Sequence, residues 1–256
     1  MLNKKGQAVS ALVVLVLAIT GAAFMFHFTG RVAQAERAWT ASSLCETSAS
    51  AKAATKVAGA ELPIPIIKEL NCRTKYYAVT NAGIIRSKGP RNQGAETVVS
   101  FDKDKKDEAE KQIKRLFAEE MRICWRDLGA GTLDPFGAYT QGSRCVPCAE
   151  VYFDTGVLEQ FLGKDELTRF ADYLEATLLP STEGQDKEVS YFTYLREGAK
   201  GTDEPAFKSL ETLGISIKKH YSIVYRSARL ITQSPHSLYT LVTETTNIPK
   251  YCQQMY

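Results

Sequence analysis

The chain has 256 residues, of which 44% are hydrophobic and 24% are charged, and its formal net charge is +3. This composition is ordinary for a globular protein and excludes disorder as the state of the whole chain. Basic and acidic residues are interleaved, so the sequence lacks the basic face or stripe typical of nucleic-acid binding, and no nucleic-acid partner is expected. After residue 30, enough chain remains for one sizeable domain or two small ones.

The N-terminal segment predicts a membrane-spanning helix. No Asp, Glu, Lys or Arg occurs between Lys5 and Arg31, and Ala8–Phe28 is almost entirely apolar. A bilayer core of roughly 30 Å needs about 20 helical residues, so the segment is long enough to span it. Lys4 and Lys5 precede the segment, and this bias favours a tail inside the cell and a body outside. The lipid bilayer is therefore the expected partner of this helix.

Three fates of the apolar segment remain open. It can be retained as a single-pass anchor. It can be removed as a secretory signal, since Ala33-Gln34-Ala35 has the small-x-small pattern of a cleavage site. Against removal, the apolar run exceeds the length of about 7–15 residues usual in such signals. The third fate is processing at the start of the segment.

The third fate rests on a resemblance. Lys4-Lys5-Gly6-Gln7, followed directly by an apolar helix, resembles the class III signal of archaeal type IV pilin-like proteins. In that family a membrane peptidase cuts after the glycine, and the apolar helix stays in the mature chain and packs in a filament core. The resemblance implies cleavage of the Gly6-Gln7 bond and self-assembly, or assembly with other surface proteins, through the helix. Ala11 departs from the pattern, because many members carry a glutamate at the fifth position after the cut.

The body begins with a predicted helical stalk, because residues 31–57 lack Gly and Pro. Gly59 and the prolines Pro63 and Pro65 end it. The predicted organisation is a cytoplasmic basic tail (1–6), a transmembrane helix (7–30), a helical stalk (31–58) and an extracytoplasmic domain (59–256).

Within the domain, the clearest predicted element is a helix over 104–131. Its apolar residues recur at spacings of three and four, acids crowd its first turns, and glycines close it. The other predicted elements follow from strand-type composition, apolar periodicity and Gly or Pro content. They are a strand in 72–80, loops over 83–94 and 132–148, a strand in 149–155, one or two helices in 157–179, a polar loop over 181–188, strands in 189–196, 215–230 and 238–243, and a short helix over 205–213. Separated strands and two long helices in mixed order indicate an α+β fold.

The six cysteines predict a disulfide-stapled domain, because a body outside the cytoplasm lies in an oxidising compartment. The first predicted bond is Cys45–Cys72, since the stalk and the strand after it must fold back together. The other predicted pairs are Cys124–Cys145 and Cys148–Cys252.

Two alternatives concern the sequence Cys145-Val-Pro-Cys148. It can be a redox pair, as in a membrane-tethered thiol-disulfide oxidoreductase. It can also form a zinc site, because four thiolates suit tetrahedral zinc; the four would be Cys124, Cys145, Cys148 and Cys252. The segment CWRDLGAG joined to CVPC is similar to uncharacterised single-pass archaeal surface proteins with a like cysteine framework. That resemblance implies a shared fold and no activity.

No motif for hydrolysis or phosphate binding occurs, and no cofactor is expected. His27 belongs to the apolar segment, and His220 and His236 are predicted to face solvent. The sequence thus predicts a membrane-anchored surface protein with a binding or structural domain, in one variant a pilin-like subunit, and no catalytic residue beyond the redox alternative.

Overall fold

A computed structural model of the chain describes residues 44–51, 53, 56–57, 60–61, 70–87, 95–132, 135–136, 142–180, 188–197, 214–229 and 237–256. The predicted tail, the transmembrane helix and the first part of the stalk lie outside these residues, as do residues 181–187 of the predicted polar loop and the predicted helix over 205–213. In the part of the chain that the structure describes, no helix combines the length and apolar character needed to cross a membrane. Leu44–Tyr256 forms one compact unit.

The α+β prediction is confirmed, because the described residues form both helices and a mixed sheet. Residues 44–51 are helical and are named α1. The other helices are α2 (Lys106–Asp127), α3 (Thr155–Leu162), α4 (Phe170–Ala176), α5 (Tyr191–Glu197) and α6 (Ile248–Tyr251), with a 3-10 turn at Thr245–Asn247. The strands are β1 (Lys56–Val57), β2 (Ala60–Glu61), β3 (Lys75–Thr80), β4 (Gly83–Ser87), β5 (Glu96–Ser100), β6 (Gly142–Phe153), β7 (Glu166–Leu167), β8 (Ile215–Ser216), β9 (Tyr221–Arg229), β10 (Ser237–Glu244) and β11 (Gln254–Met255).

The main sheet is built around the long strand β6. Its described strands run in the order β10-β9-β6-β3-β4-β5, and β11 also pairs with β6. Strand β9 pairs antiparallel with β6 over most of its length. Strands β3 and β11 both pair parallel with β6, at its C-terminal and N-terminal halves respectively. Strand β9 occupies one edge of β6, so β3 and β11 both pair along the other edge.

The long helix α2 covers one face of this sheet, as its apolar stripe predicts. Phe117 and Trp125 are fully buried on that stripe, and burial of an aromatic side chain of this size contributes roughly 1.5–3 kcal/mol. Asp107 lies in the first turn, where its charge complements the helix dipole. Gly129, with a φ of 93°, follows the helix in the left-handed region that glycine tolerates. The predicted helix over 104–131 is therefore confirmed.

Two predicted loops contain strands instead. The segment after Gly83 forms β4, because Thr80 pairs with Gly83 across a two-residue turn and so closes a hairpin with β3. The segment around Pro147 belongs to β6, where the register against β9 shifts by one residue at Cys148. A bulge is one of the few places at which a strand accepts proline, so Pro147 marks an irregular strand rather than a loop.

The predicted strand in 189–196 is helix α5. Its Tyr, Phe and Thr content favours a strand, but the Ser190 hydroxyl accepts a hydrogen bond from the Thr193 backbone N–H at 3.2 Å, which caps the first turn. Tyr191 and Leu195 are both buried and lie four residues apart, on one helical face. The predicted helices in 157–179 are confirmed as α3 and α4, with the short strand β7 between them.

Helix α1 is part of the domain and not of a separate stalk. Cys45 and Ala49 lie on this helix and belong to the main buried core. Within the range predicted as stalk, Lys56–Val57 forms β1 and pairs with β2. The compact unit begins at Leu44, whereas the predicted domain begins at residue 59.

Candidate functional site

All six cysteines form disulfides, and the predicted bond Cys45–Cys72 is confirmed. Its two Cα atoms are 4.5 Å apart, and Cys72 precedes β3. The Ser48 hydroxyl, on the same helix as Cys45, also accepts a hydrogen bond from the Asn71 backbone N–H at 3.0 Å. The disulfide and the hydrogen bond together hold α1 against the start of the sheet.

The other two predicted pairs are wrong, because the structure joins Cys124 to Cys148 and Cys145 to Cys252. The positions of the two cysteines on β6 account for the difference. Cys148 is the extra residue of the bulge, and it packs against the core that contains Cys124 of α2. Cys145 precedes the bulge and lies outside that core.

The C-terminal segment brings Cys252 to Cys145. The Gln253 backbone N–H donates to the Ser143 carbonyl at 2.9 Å, and the Tyr256 N–H donates to the Cys145 carbonyl at 3.0 Å. These bonds lay the segment along β6 as strand β11. The disulfide and these hydrogen bonds together hold the segment 252–256 on β6.

Neither alternative reading of the cysteines has support in this arrangement. Cys145 and Cys148 are each bonded to a separate partner, so Cys145-Val-Pro-Cys148 is not a dithiol pair here. The zinc alternative requires thiolates from Cys124, Cys145, Cys148 and Cys252, and all four sulfurs are in disulfides. Over the described ranges, no group of three or more His, Cys, Asp or Glu side chains is placed to hold a metal ion.

The remaining predicted residues divide between described and undescribed parts. The processing residues Gly6 and Gln7 lie outside the described residues, as do His27 and His236. His220 is exposed, as predicted.

The sheet face opposite α2 is buried over one part and only partly buried over another, which we call its open part. Near β9 and β10, the side chains of Val224, Tyr239 and Leu241 form a small buried cluster separate from the main core. Near β3 and β6, the side chains on this face are only partly buried. The open part carries Tyr76 and Glu150, which are paired in register across the two strands.

Four residues form an aromatic–carboxylate cluster on this open part: Tyr76, Glu150, Tyr152 and His220. The Tyr152 hydroxyl donates a hydrogen bond to the Glu150 carboxylate. The rings of Tyr152 and His220 lie 4.7 Å apart between centroids, with an interplanar angle of 66°. Partial burial raises the pKa of the Tyr152 hydroxyl, and its hydrogen bond to Glu150, the Glu150 charge and Tyr76 raise it further. Tyr152 therefore stays protonated and remains a donor to Glu150.

Two other tyrosine–carboxylate contacts are internal to the fold. Tyr77 donates to Glu120 at 2.6 Å, and both side chains are buried beneath α2. Tyr191 donates to Glu119, which also accepts from Arg122 Nε at 2.9 Å. Because these groups join elements of the domain to one another, we interpret them as structural. The aromatic–carboxylate cluster differs in that it lies on an open face.

The sequence carries a signal for this cluster, although no motif marks it. In β6, Glu150 and Tyr152 alternate with Val151 and Phe153, so a period of two places the first pair on one face and the second pair in the core. The partner Tyr76 on β3 becomes a neighbour only through the parallel pairing of two distant segments.

Comparison of the chain with protein-family models, with curated proteins and with solved structures found no match. The functional proposal therefore rests on the residues of this chain and their geometry.

Proposed function

We propose that the protein is a single-pass, membrane-anchored surface protein whose disulfide-stapled α+β domain lies outside the cytoplasm and has a binding or structural role. The observation that carries the proposal is the pairing of all six cysteines. Disulfides persist in oxidising compartments and are rare in the cytosol. A domain in such a compartment agrees with the orientation that Lys4 and Lys5 favour for the apolar segment.

The position of the first disulfide supports an anchoring role. Cys45 lies soon after the apolar segment in the sequence, and its bond to Cys72 ties α1 to the sheet. In a tethered protein, the first element of the domain is the one next to the membrane. A disulfide bond at this element would keep α1 attached to the sheet at the point where the membrane helix leads into the domain.

Intact-mass analysis of the native protein tests the fate of the segment. A chain that begins at Met1 supports a plain anchor, and a chain that begins at Gln7 supports the pilin-like variant, in which the helix also mediates assembly. A chain that begins at Glu36, after removal of the segment, would contradict the anchor.

A processing variant sharpens this measurement. In the pilin-like variant of the proposal, Gly6→Val should block the cut and leave the chain starting at Met1. Gly30→Val, at the other end of the apolar segment, serves as the matched control and should leave the cut unchanged.

Protease added to intact cells tests the orientation. We expect digestion of the domain and survival of the N-terminal helix in the membrane fraction, while a cytoplasmic marker stays intact. Protection of the whole chain under conditions that digest a known surface protein would overturn the proposed location.

A further inference from the structure

The aromatic–carboxylate cluster combines a negative charge with aromatic rings on an open part of the sheet. We propose that it binds an alkylated ammonium group, with the carboxylate of Glu150 opposite the cation and the rings of Tyr76 and Tyr152 as walls. This inference deepens the proposed binding role, on which it rests, by naming the chemical class of the ligand.

The negative charge of Glu150 favours a cationic ligand. Its carboxylate accepts a hydrogen bond from Tyr152, and in the described part of the chain it has no ion-pair partner. The acid Glu244 differs, because its carboxylate forms an ion pair with Lys219 Nζ at 2.5 Å. A partly buried carboxylate without a cation favours a positively charged ligand over an anion or a neutral one.

The aromatic rings beside Glu150 also favour a cation. An aromatic face attracts a cation through its quadrupole, and tyrosine cages are a recurrent way to bind quaternary ammonium groups. Tyr152 meets His220 at 66°, so the two rings form a corner rather than a flat stack. Tyr76 lies across from Glu150 on the neighbouring strand. A compact cation in this corner would contact aromatic carbon and the carboxylate at once.

The backbone that carries the cluster is part of the main sheet. Tyr76, Glu150 and Tyr152 project from paired strands within the main sheet, and sites on such elements hold their geometry better than sites on loops. The hydrogen bond from Tyr152 to Glu150 fixes both side chains before a ligand arrives. Less side-chain freedom is then lost on binding, which favours affinity.

A titration of the full-length protein tests the inference. The protein is purified in an uncharged maltoside detergent and titrated with tetramethylammonium chloride, and NMR chemical shifts are followed against a sodium chloride titration of equal ionic strength. We expect saturable binding that Glu150→Gln weakens about tenfold, because the variant keeps the shape and removes the charge. Glu175→Gln removes an exposed carboxylate from α4 and should leave the affinity unchanged.

Variants at Tyr152 separate the ring from the hydroxyl. Tyr152→Phe keeps the aromatic wall but loses the hydrogen bond to Glu150, so it should weaken binding by about twofold to threefold, whereas Tyr152→Leu also loses the ring and should weaken binding by about tenfold. Unchanged far-ultraviolet circular dichroism and an unchanged melting temperature establish that each variant is folded. Equal binding by the wild type, Glu150→Gln and Tyr152→Leu would overturn the proposal, as would saturable binding of a neutral sugar in place of tetramethylammonium.

Choline and phosphocholine then identify the source of the cation. Binding of both indicates a lipid headgroup, and binding of choline alone indicates a free cation, because Glu150 disfavours the added phosphate. Binding of neither, together with no response to tetramethylammonium, contradicts the inference. That outcome leaves the anchor proposal intact, since the mass and protease experiments test the anchor independently of the cluster.

Discussion

The Tyr77 hydroxyl on β3 donates a 2.6 Å hydrogen bond to the Glu120 carboxylate on α2, and this contact lies inside the domain. Lys75 Nζ, two residues earlier on the same strand, lies 2.9 Å from the same carboxylate. A buried charge is tolerated only when it is paired and hydrogen-bonded. Helix α2 is thus positioned on the sheet by two polar contacts as well as by its apolar stripe.

Removal of the Tyr77 hydroxyl should destabilise the domain. Tyr77→Phe leaves the buried Glu120 carboxylate with one donor fewer, which costs about 1–3 kcal/mol of the free energy of unfolding. Urea denaturation measures the change, and Tyr251→Phe, at an exposed tyrosine, is the control. A difference between the two variants below about 0.5 kcal/mol would show that the contact contributes little.

The domain should lose stability in alkaline solution. Each of three tyrosine hydroxyls donates a hydrogen bond to a glutamate: those of Tyr77, Tyr152 and Tyr191. Burial is the largest cause that raises the pKa of each hydroxyl, and the neighbouring glutamate raises it further. Tyrosines in the unfolded chain ionise near pH 10. The folded state therefore holds more protons above about pH 10, so the free energy of unfolding falls as pH rises through and beyond this value.

The ultraviolet absorbance of tyrosinate, recorded with circular dichroism during an alkaline titration, checks this expectation. Part of the tyrosine signal should appear only as the fold is lost. Full ionisation near pH 10 with an intact fold would contradict it.

Periodic elements could be predicted from the sequence, whereas elements fixed by distant contacts could not. Helix α2 carries a continuous apolar stripe, and β9 and β10 have strand-type composition, so local pattern and final structure agree. The sequence around Pro147 predicts a loop where the structure has a strand, because a bulge that accommodates proline has no local signature. Helix α5 depends on a cap and on buried contacts that outweigh its strand-like composition.

The same distinction explains the cysteines and the candidate site. The Cys45–Cys72 bond joins the first two cysteines of the sequence, so chain order predicts it. The partner of Cys145 depends on the pairing of β11 with β6, which brings a segment about a hundred residues away beside it and has no local signature. Likewise, the sequence of β6 places Glu150 beside Tyr152, but the contribution of Tyr76 requires the parallel pairing of β3 with β6.

Single cysteine variants should reveal the pairing directly. Cys124→Ser should leave Cys148 as the unpaired thiol, and Cys252→Ser should leave Cys145. Each variant is purified in its folded state and its free thiol is then labelled in denaturant without a reductant. Fragmentation of the labelled peptide locates the thiol. The opposite result, with Cys145 labelled in Cys124→Ser, would restore the pairing that chain order suggests.

Loss of the disulfide that closes the longest loop should destabilise the domain most. Cys145 and Cys252 are 107 residues apart, whereas the other pairs are 24 and 27 residues apart. On the chain-entropy model, removal of the long link costs about 4–5 kcal/mol and removal of either short link costs about 3–4 kcal/mol. Paired Cys→Ser variants compared by urea denaturation measure the order. An equal or smaller loss for the Cys145–Cys252 pair would show that strain or residual structure in the unfolded chain outweighs loop length.

Two glycines should respond in opposite ways to alanine. Gly83 has a φ of +149°, and a Cβ atom there would lie 2.0 Å from the Val99 carbonyl oxygen on β5. Because this oxygen belongs to the backbone of a paired strand, Gly83→Ala should cost about 2 kcal/mol or more. Gly156, in the first turn of α3, has open space where a Cβ would lie, so Gly156→Ala should be neutral or stabilise by up to about 1 kcal/mol. Thermal and urea denaturation of both variants give the comparison, and equal stabilities would contradict the close approach of β4 to β5 at Gly83.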